Sequence, residues 1–172
     1  MMAADLSGGN CIDEDAHWMR LALSLAVQAA SAGEVPVGAV VVRRHQLLST
    51  AANAVESNHD AVLHAEIIAL QAASCCSGDW RLNECTLYVT KEPCAMCAGA
   101  AVNCRIGRIV FGAHDPRMGA CGGAMALHDF PGMLHRIPVT GGVCEAECAQ
   151  LLRDFFRSRR CKCDRAHNIC LE

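Results

Sequence analysis

The stretch TLYVTKEPCAMCAGAAVNCRIGRIVFG, Thr86 to Gly112, decides the fold. Thr86 to Thr90 and Arg108 to Gly112 are short apolar runs that read as buried strands, and Cys94 to Cys104 between them is helical in composition. Two strands joined by a helical crossover lie parallel. Upstream, Asp15 to Ala32 places Met19, Ala22, Leu25, Ala26 and Ala29 on one helical face, with Gly33 as its stop. Val37 to Val42 is a β-branched run, followed after the basic turn Arg43 to His45 by Gln46 to Ala51, and the two form a hairpin. His64 to Ser74 reads as helix. Downstream, Ala113 to Ala124 is a Gly- and Ala-rich loop that runs into a short helix near Met125 to Asp129. A strand at about Arg136 to Thr140 and a helix from Glu145 to Arg160 close the pattern. Alternating helical and strand periods predict an α/β fold, a three-layer α/β/α sandwich around a mixed five-stranded sheet.

At 172 residues the chain fits a single domain. Met1 to Asp15 carries no basic cluster or long apolar run, and no later stretch reaches the roughly 18 uncharged apolar residues that a membrane span requires. A soluble, cytoplasmic protein is expected. The thirteen cysteines are odd in number, and Cys75, Cys76, Cys104 and Cys148 sit in apolar helical patterns, so most are expected reduced and buried. A formal net charge of -3 gives no general attraction to nucleic acid. Any such binding needs a local basic patch, and Arg153, Arg157, Arg159, Arg160, Lys162 and Arg165 near the end of the chain supply one.

The chemistry lies in His64-Ala65-Glu66 and in Pro93-Cys94-Ala95-Met96-Cys97. Cys94 and Cys97, three apart at a helix start, share one face, and Pro93 suits the first-turn region. The positive end of the helix favours the thiolates that zinc requires. With the imidazole of His64 they make three ligands, leaving one tetrahedral position open, as in a catalytic site. Glu66 would point about 200° from His64 in mid-helix, so both can line one cavity only if the pair opens its helix. That makes Glu66 a neighbour of the metal's open position rather than a fourth ligand.

His-x-Glu with Pro-Cys-x-x-Cys resembles the signature of the zinc nucleobase deaminases. The segments Glu34-Val35-Pro36-Val37-Gly38-Ala39-Val40, Pro93 to Ala100, Arg105 to Ala113 and Asp154-Phe155-Phe156-Arg157 are similar to those of the bacterial tRNA-specific adenosine deaminases. The resemblance runs from about Asp15 to Arg160. It implies a cytidine deaminase-like fold and a deaminase domain over 15–160, between an N-terminal extension, 1–14, and a C-terminal tail, 161–172. It further implies conversion of the wobble adenosine of a tRNA anticodon stem-loop to inosine, by a homodimer with one Zn2+ per subunit. His64, Cys94 and Cys97 match the zinc ligands, Glu66 the proton shuttle and Asn53 the residue that reads the purine edge. Val35 and Pro36 match pocket-wall residues, and Phe156 with Arg159 matches the helix end beside the substrate strand.

Ala52 stands where the family has an aromatic residue, and Gly123 where a serine is common. Both departures are expected to loosen contacts to flanking nucleotides. Two other readings remain open: a small-molecule deaminase acting on guanine, cytosine or a nucleoside, and a non-catalytic zinc subunit, which would be expected to lack the shuttle. Cys161, Cys163, His167 and Cys170 fit no zinc spacing, and His114, Asp115 and His128 are expected on surface loops.

Overall fold

The computed structural model describes residues 10–169, with side chains from 14 to 160. The chain forms α1 (Asn10–Ser31), β1 (Gly38–Arg43), β2 (Gln46–Ala52), α2 (Val55–Asn58), α3 (Ala65–Ser77), β3 (Cys85–Lys91), α4 (Ala95–Asn103), β4 (Arg108–Ala113), β5 (Val139–Thr140) and α5 (Glu145–Ile169). A 3-10 turn at Leu127–Asp129 lies between β4 and β5. The five strands are ordered β2-β1-β3-β4-β5. β1 runs antiparallel to both β2 and β3, whereas β3, β4 and β5 are parallel. The expected α/β/α sandwich with a mixed sheet is what forms.

Two-residue alternation divides the core. Ala39, Val41, Leu87, Val89, Ile109 and Phe111 face α3 and α4, while Val40, Val42, Tyr88 and Val110 face α1 and α5. Small residues on the first pair of helices, Ala65, Ala69, Ala73, Ala98 and Ala101, let them lie close against the sheet. On the other side α1 is pinned by Asp15. Its carboxylate accepts Arg108 Nη1 at 2.9 Å and Nη2 at 2.7 Å, and also the Tyr88 hydroxyl at 3.0 Å. A two-pronged guanidinium bond of this kind fixes orientation as well as distance.

The strand directions gather the functional loops on one rim. β3 and β4 end there, at Lys91 and Ala113; β1 begins there and β2 ends there, with Gly38 paired to Ala52. The opposite rim carries the β1–β2 turn, where Arg44 and His45 both take positive φ, the twist that a two-residue hairpin requires.

Several boundaries differ from expectation. α1 starts five residues earlier, at Asn10 rather than Asp15, and α5 does not stop at Arg160. The helix α2 is absent from the hydrophobic pattern because it is only four residues long and depends on a distant carboxylate. β5 is two residues, not five: Pro138 has no N–H for a ladder, and the Ile137 N–H is taken by the His128 carbonyl at 2.9 Å. Cys85, Cys97, Cys121 and Cys148 are buried, but Cys75 and Cys76 are exposed, which corrects their expected burial. They lie in the last turns of α3, beyond the part that faces the sheet. The side chains of Lys162, Arg165, Cys161, Cys163 and His167, and the whole of Cys170, lie outside the described residues.

Gly38 sits where β1 passes under α1, and a Cβ there would lie 2.1 Å from the Ala22 carbonyl oxygen. Gly38→Ala is therefore expected to destabilise the fold by about 1–3 kcal/mol through overpacking. Gly99→Ala, on α4 with nothing within 4 Å of its Cβ, is expected to stabilise it by about 0.5–1 kcal/mol. Urea midpoints of the two variants, moving in opposite directions from the parent, check both.

Candidate active site

Two helix starts converge on the rim. His64 is the N-cap of α3, in extended conformation at φ -71° and ψ 149°, with Glu66 in the first turn. Cys94 is the N-cap of α4, at φ -73° and ψ 175°, and Cys97 lies in that helix's first turn, fully buried. Pro93 therefore stands just before the cap rather than inside the helix. His64 Nδ1 lies 3.5 Å from Cys97 Sγ and 3.7 Å from Cys94 Sγ, and the three donor atoms are all within 4.8 Å of one another. A tetrahedral ion bonded at about 2.0–2.1 Å to nitrogen and 2.3 Å to sulfur separates those donors by roughly 3.6 Å. The cluster thus has the chemistry and the spacing of a metal site. Among the described residues no other His, Cys, Asp or Glu joins it.

Glu66 is 4% exposed and stays outside the donor set. Burial raises its carboxyl above the ordinary range, suiting it to hold or release a proton. The two thiols diverge. A hydrogen bond from Cys97 pulls Cys94 down, while Cys97, facing the negative Cys94 sulfur and buried, is held up. His64 is raised chiefly by its contact with the Cys94 sulfur.

The cluster opens into a cavity of about 300 Å³. His64, Glu66 and Cys94 form part of its lining, and Val35, Asn53 and Phe156 are brought there as expected. Pro36 is buried beside this wall without lining the cavity. Arg159 is not brought in: it donates to the Gly33 carbonyl and lies over the Phe155 ring at 5.2 Å. A larger cleft of about 760 Å³ lies along α3 and α4, lined by Ile67, Leu70, Trp80 and Ala100 among others. It contains neither the donor cluster nor a carboxylate, so it is not the chemical site.

Three side chains at this site were not singled out from sequence. Glu34, 2% exposed, accepts the N–H groups of Ser57 at 2.8 Å and Glu56 at 3.1 Å, and Asn53 Nδ2 at 3.2 Å. Its carboxylate thereby caps α2 and holds Asn53 in the wall. Burial works against the Glu34 charge, but the donors outweigh it and its carboxyl is lowered. Glu92, 1% exposed, accepts the N–H groups of Gly123 at 2.8 Å, Asp115 at 2.9 Å and Cys121 at 3.0 Å, tying the loop after β4 to the segment that carries Cys94. Lys91 lines the cavity and pairs with Asp115, which is half-buried on the loop after β4. A charge inside or directly beside an apolar strand, as at Lys91-Glu92, was the available signal.

The loop also accounts for one departure. A Cβ on Gly123 would lie 2.4 Å from the Asp115 carbonyl and 2.6 Å from Glu92 Oε2. The missing side chain therefore lets this loop close on Glu92. Ala52 is half-buried at the end of β2.

A sequence profile of the MafB19-like deaminases matches residues 13–160. The tRNA-specific adenosine deaminase of Bacillus subtilis is 42% identical over 149 residues, covering 87% of this chain and 92% of that protein. The enzyme of the same description from Haemophilus influenzae is 45% identical over 147 residues, covering 85% of each. The chain belongs to the tRNA-specific adenosine deaminase family. A solved structure from a study of A-to-I editing by tRNA deaminases at the wobble position superposes with a TM-score of 0.77 at 38% identity, covering 79% of this chain and 99% of that one.

Within this member of the family, Glu34 gives the cavity a pH signature. Its lowered carboxyl contributes stability that is complete above the unfolded value near 4.5 and is lost as pH falls through the lower folded value. Glu34→Gln is expected to be less stable than the parent at pH 7, with the gap closing on acidification below about pH 4. Denaturant titrations of both proteins at several pH values check this; a constant gap would place the stabilisation elsewhere.

Proposed function

We infer that the protein hydrolyses adenosine to inosine, with release of ammonia, at the wobble position of a tRNA anticodon stem-loop. The observation that carries this reading is a buried Glu66 beside a three-donor cluster, in a cavity that adjoins a basic groove. That groove, of about 520 Å³, is lined by Arg117, Arg153, Arg157 and Arg160, and it shares Phe156 with the cavity. A positive groove beside an aromatic side chain suits a single strand, whose phosphates take the charge while a base stacks on the ring.

His64, Cys94 and Cys97 would hold one Zn2+ per chain, with Nδ1 and two sulfurs as donors. When bound, that ion would supply the Lewis acidity that acidifies the attacking water. Glu66 accepts one proton of the attacking water and delivers it to N1 of the base as attack proceeds at C6; it then takes the proton of the new C6 hydroxyl and passes it to the amino group, which leaves as ammonia. Asn53, held through its amide nitrogen by Glu34, reads the purine edge. Val35 and Phe156 close the sides. The deaminase domain spans 15–160, and the protein works in the cytoplasm; among the described residues no helix is long and apolar enough to cross a membrane.

A second copy of the chain is the occupant assigned to the larger cleft along α3 and α4, making a homodimer. The cleft is mostly apolar, Trp80 at its edge is 49% exposed, and the chain is 52% apolar. Sedimentation is expected to return the mass of a dimer, and Trp80→Glu to shift it toward the monomer. A monomeric parent would refute the assignment.

The decisive assay offers the zinc-loaded protein an anticodon stem-loop with adenosine at the wobble position, beside free adenosine, cytidine and guanine. Inosine in the stem-loop alone is expected. Glu66→Gln is expected to keep zinc and stem-loop affinity and to lose turnover by about 10²–10⁴-fold. Turnover of a free base with the stem-loop untouched would sink the tRNA reading while keeping the chemistry of the site.

A further inference from the structure

Lys91 sits at the end of β3, three residues before Cys94, and its side chain lines the cavity. Among the described lining residues it carries the one fixed positive charge, set against the carboxylates of Glu56, Glu66 and Glu92. Such a lining is hostile to the phosphates of a polynucleotide. A nucleoside held in a strand nevertheless has a phosphate on each side, and at least one must come close to the cavity mouth.

Lys91 is built to meet it. Its ammonium pairs with Asp115 Oδ2, and Asp115 cannot swing away, because its other oxygen accepts the N–H groups of Arg117 at 3.0 Å and Met118 at 3.1 Å. An ammonium has three N–H donors, and this pairing uses one. The Lys91 side chain keeps 29% of its surface exposed, against 14% for Asp115. The charge is therefore fixed in place before substrate arrives, with donors to spare. The short segment from Asp115 to Arg117 also joins the cavity to the basic groove, since Arg117 lines that groove.

We propose that Lys91 binds the phosphodiester directly adjoining the target adenosine, and so makes the cavity select a nucleoside within a strand over a free one. Asp115 positions the ammonium, and the groove arginines take phosphates farther along. This rests on the tRNA reading above and adds to it the residue that enforces it.

The test uses stem-loops in which the phosphate on the 5′ side or on the 3′ side of the target adenosine is replaced by an uncharged methylphosphonate. They are assayed with the zinc-loaded parent, Lys91→Met and Lys91→Arg. One of the two neutral linkages is expected to lower the parent's kcat/KM about tenfold, mainly through KM, as for the loss of one charge-assisted contact. The same linkage is expected to cost Lys91→Met nothing further, and Lys91→Arg is expected to retain most of the parent's selectivity. The proposal is overturned if neither linkage affects the parent, a result that does not depend on any variant folding, or if the losses from the linkage and from Lys91→Met multiply. Failure of the parent to deaminate the unmodified stem-loop would instead strike at the tRNA reading, so the two failures are told apart.

Discussion

A carboxylate taken out of water must find donors, and two of them are buried at the same cavity, Glu92 in its lining and Glu34 behind Asn53. Their donors are mostly backbone N–H groups from irregular segments: the start of α2 for Glu34, and the loop of Asp115, Cys121 and Gly123 for Glu92. Those segments have too few residues in regular structure to hold themselves. Each carboxylate acts as a centre around which a loop is wound, and the cavity keeps its shape because neither centre can be left unmatched. The glycines at 119 and 123 belong to the same arrangement, since a Cβ at either would run into Glu92.

The sheet explains why this happens in one place. Parallel β3 and β4 send their ends to the rim at which antiparallel β1 begins. The His64, Cys94 and Cys97 cluster arrives on the starts of α3 and α4, the wall arrives with the segment before β1, and the closing loop arrives after β4. An all-parallel sheet would have turned the start of β1 to the far rim, taking Val35 and Val37 away from the chemistry.

Much of this was legible in the residues. The strand–helix–strand unit from Thr86 to Gly112 has a pattern that only one connection satisfies, and the spacing of His64, Glu66, Cys94 and Cys97 carries its own geometry, because two helix starts dictate which side chains face each other. What was not legible depends on partners far away in sequence. Nothing local marks Glu34 as the cap of a helix beginning at Val55, or Asp115 as the partner of Lys91. Arg159 was expected beside the substrate strand because it shares a helix end with Phe156. Being three residues further on, it reaches the Gly33 carbonyl instead. Cys75 and Cys76 followed the apolar composition of α3 but lie past the point where that helix leaves the sheet.

The bond between Asp15 and Arg108 joins residues 93 apart. Closing so long a loop has an entropic cost that only a largely assembled sheet can offset. On a growing chain, α1 emerges before the other described helices, yet its Arg108 anchor does not exist until β4 has been made. Until then the face of Met19 and Ala22, buried in the finished protein, can pack on Val40, Val42 and Tyr88 but is not pinned in orientation. The orientation of α1 is thus settled later than its contact with the sheet, and the delay is set by the distance along the chain from Asp15 to Arg108.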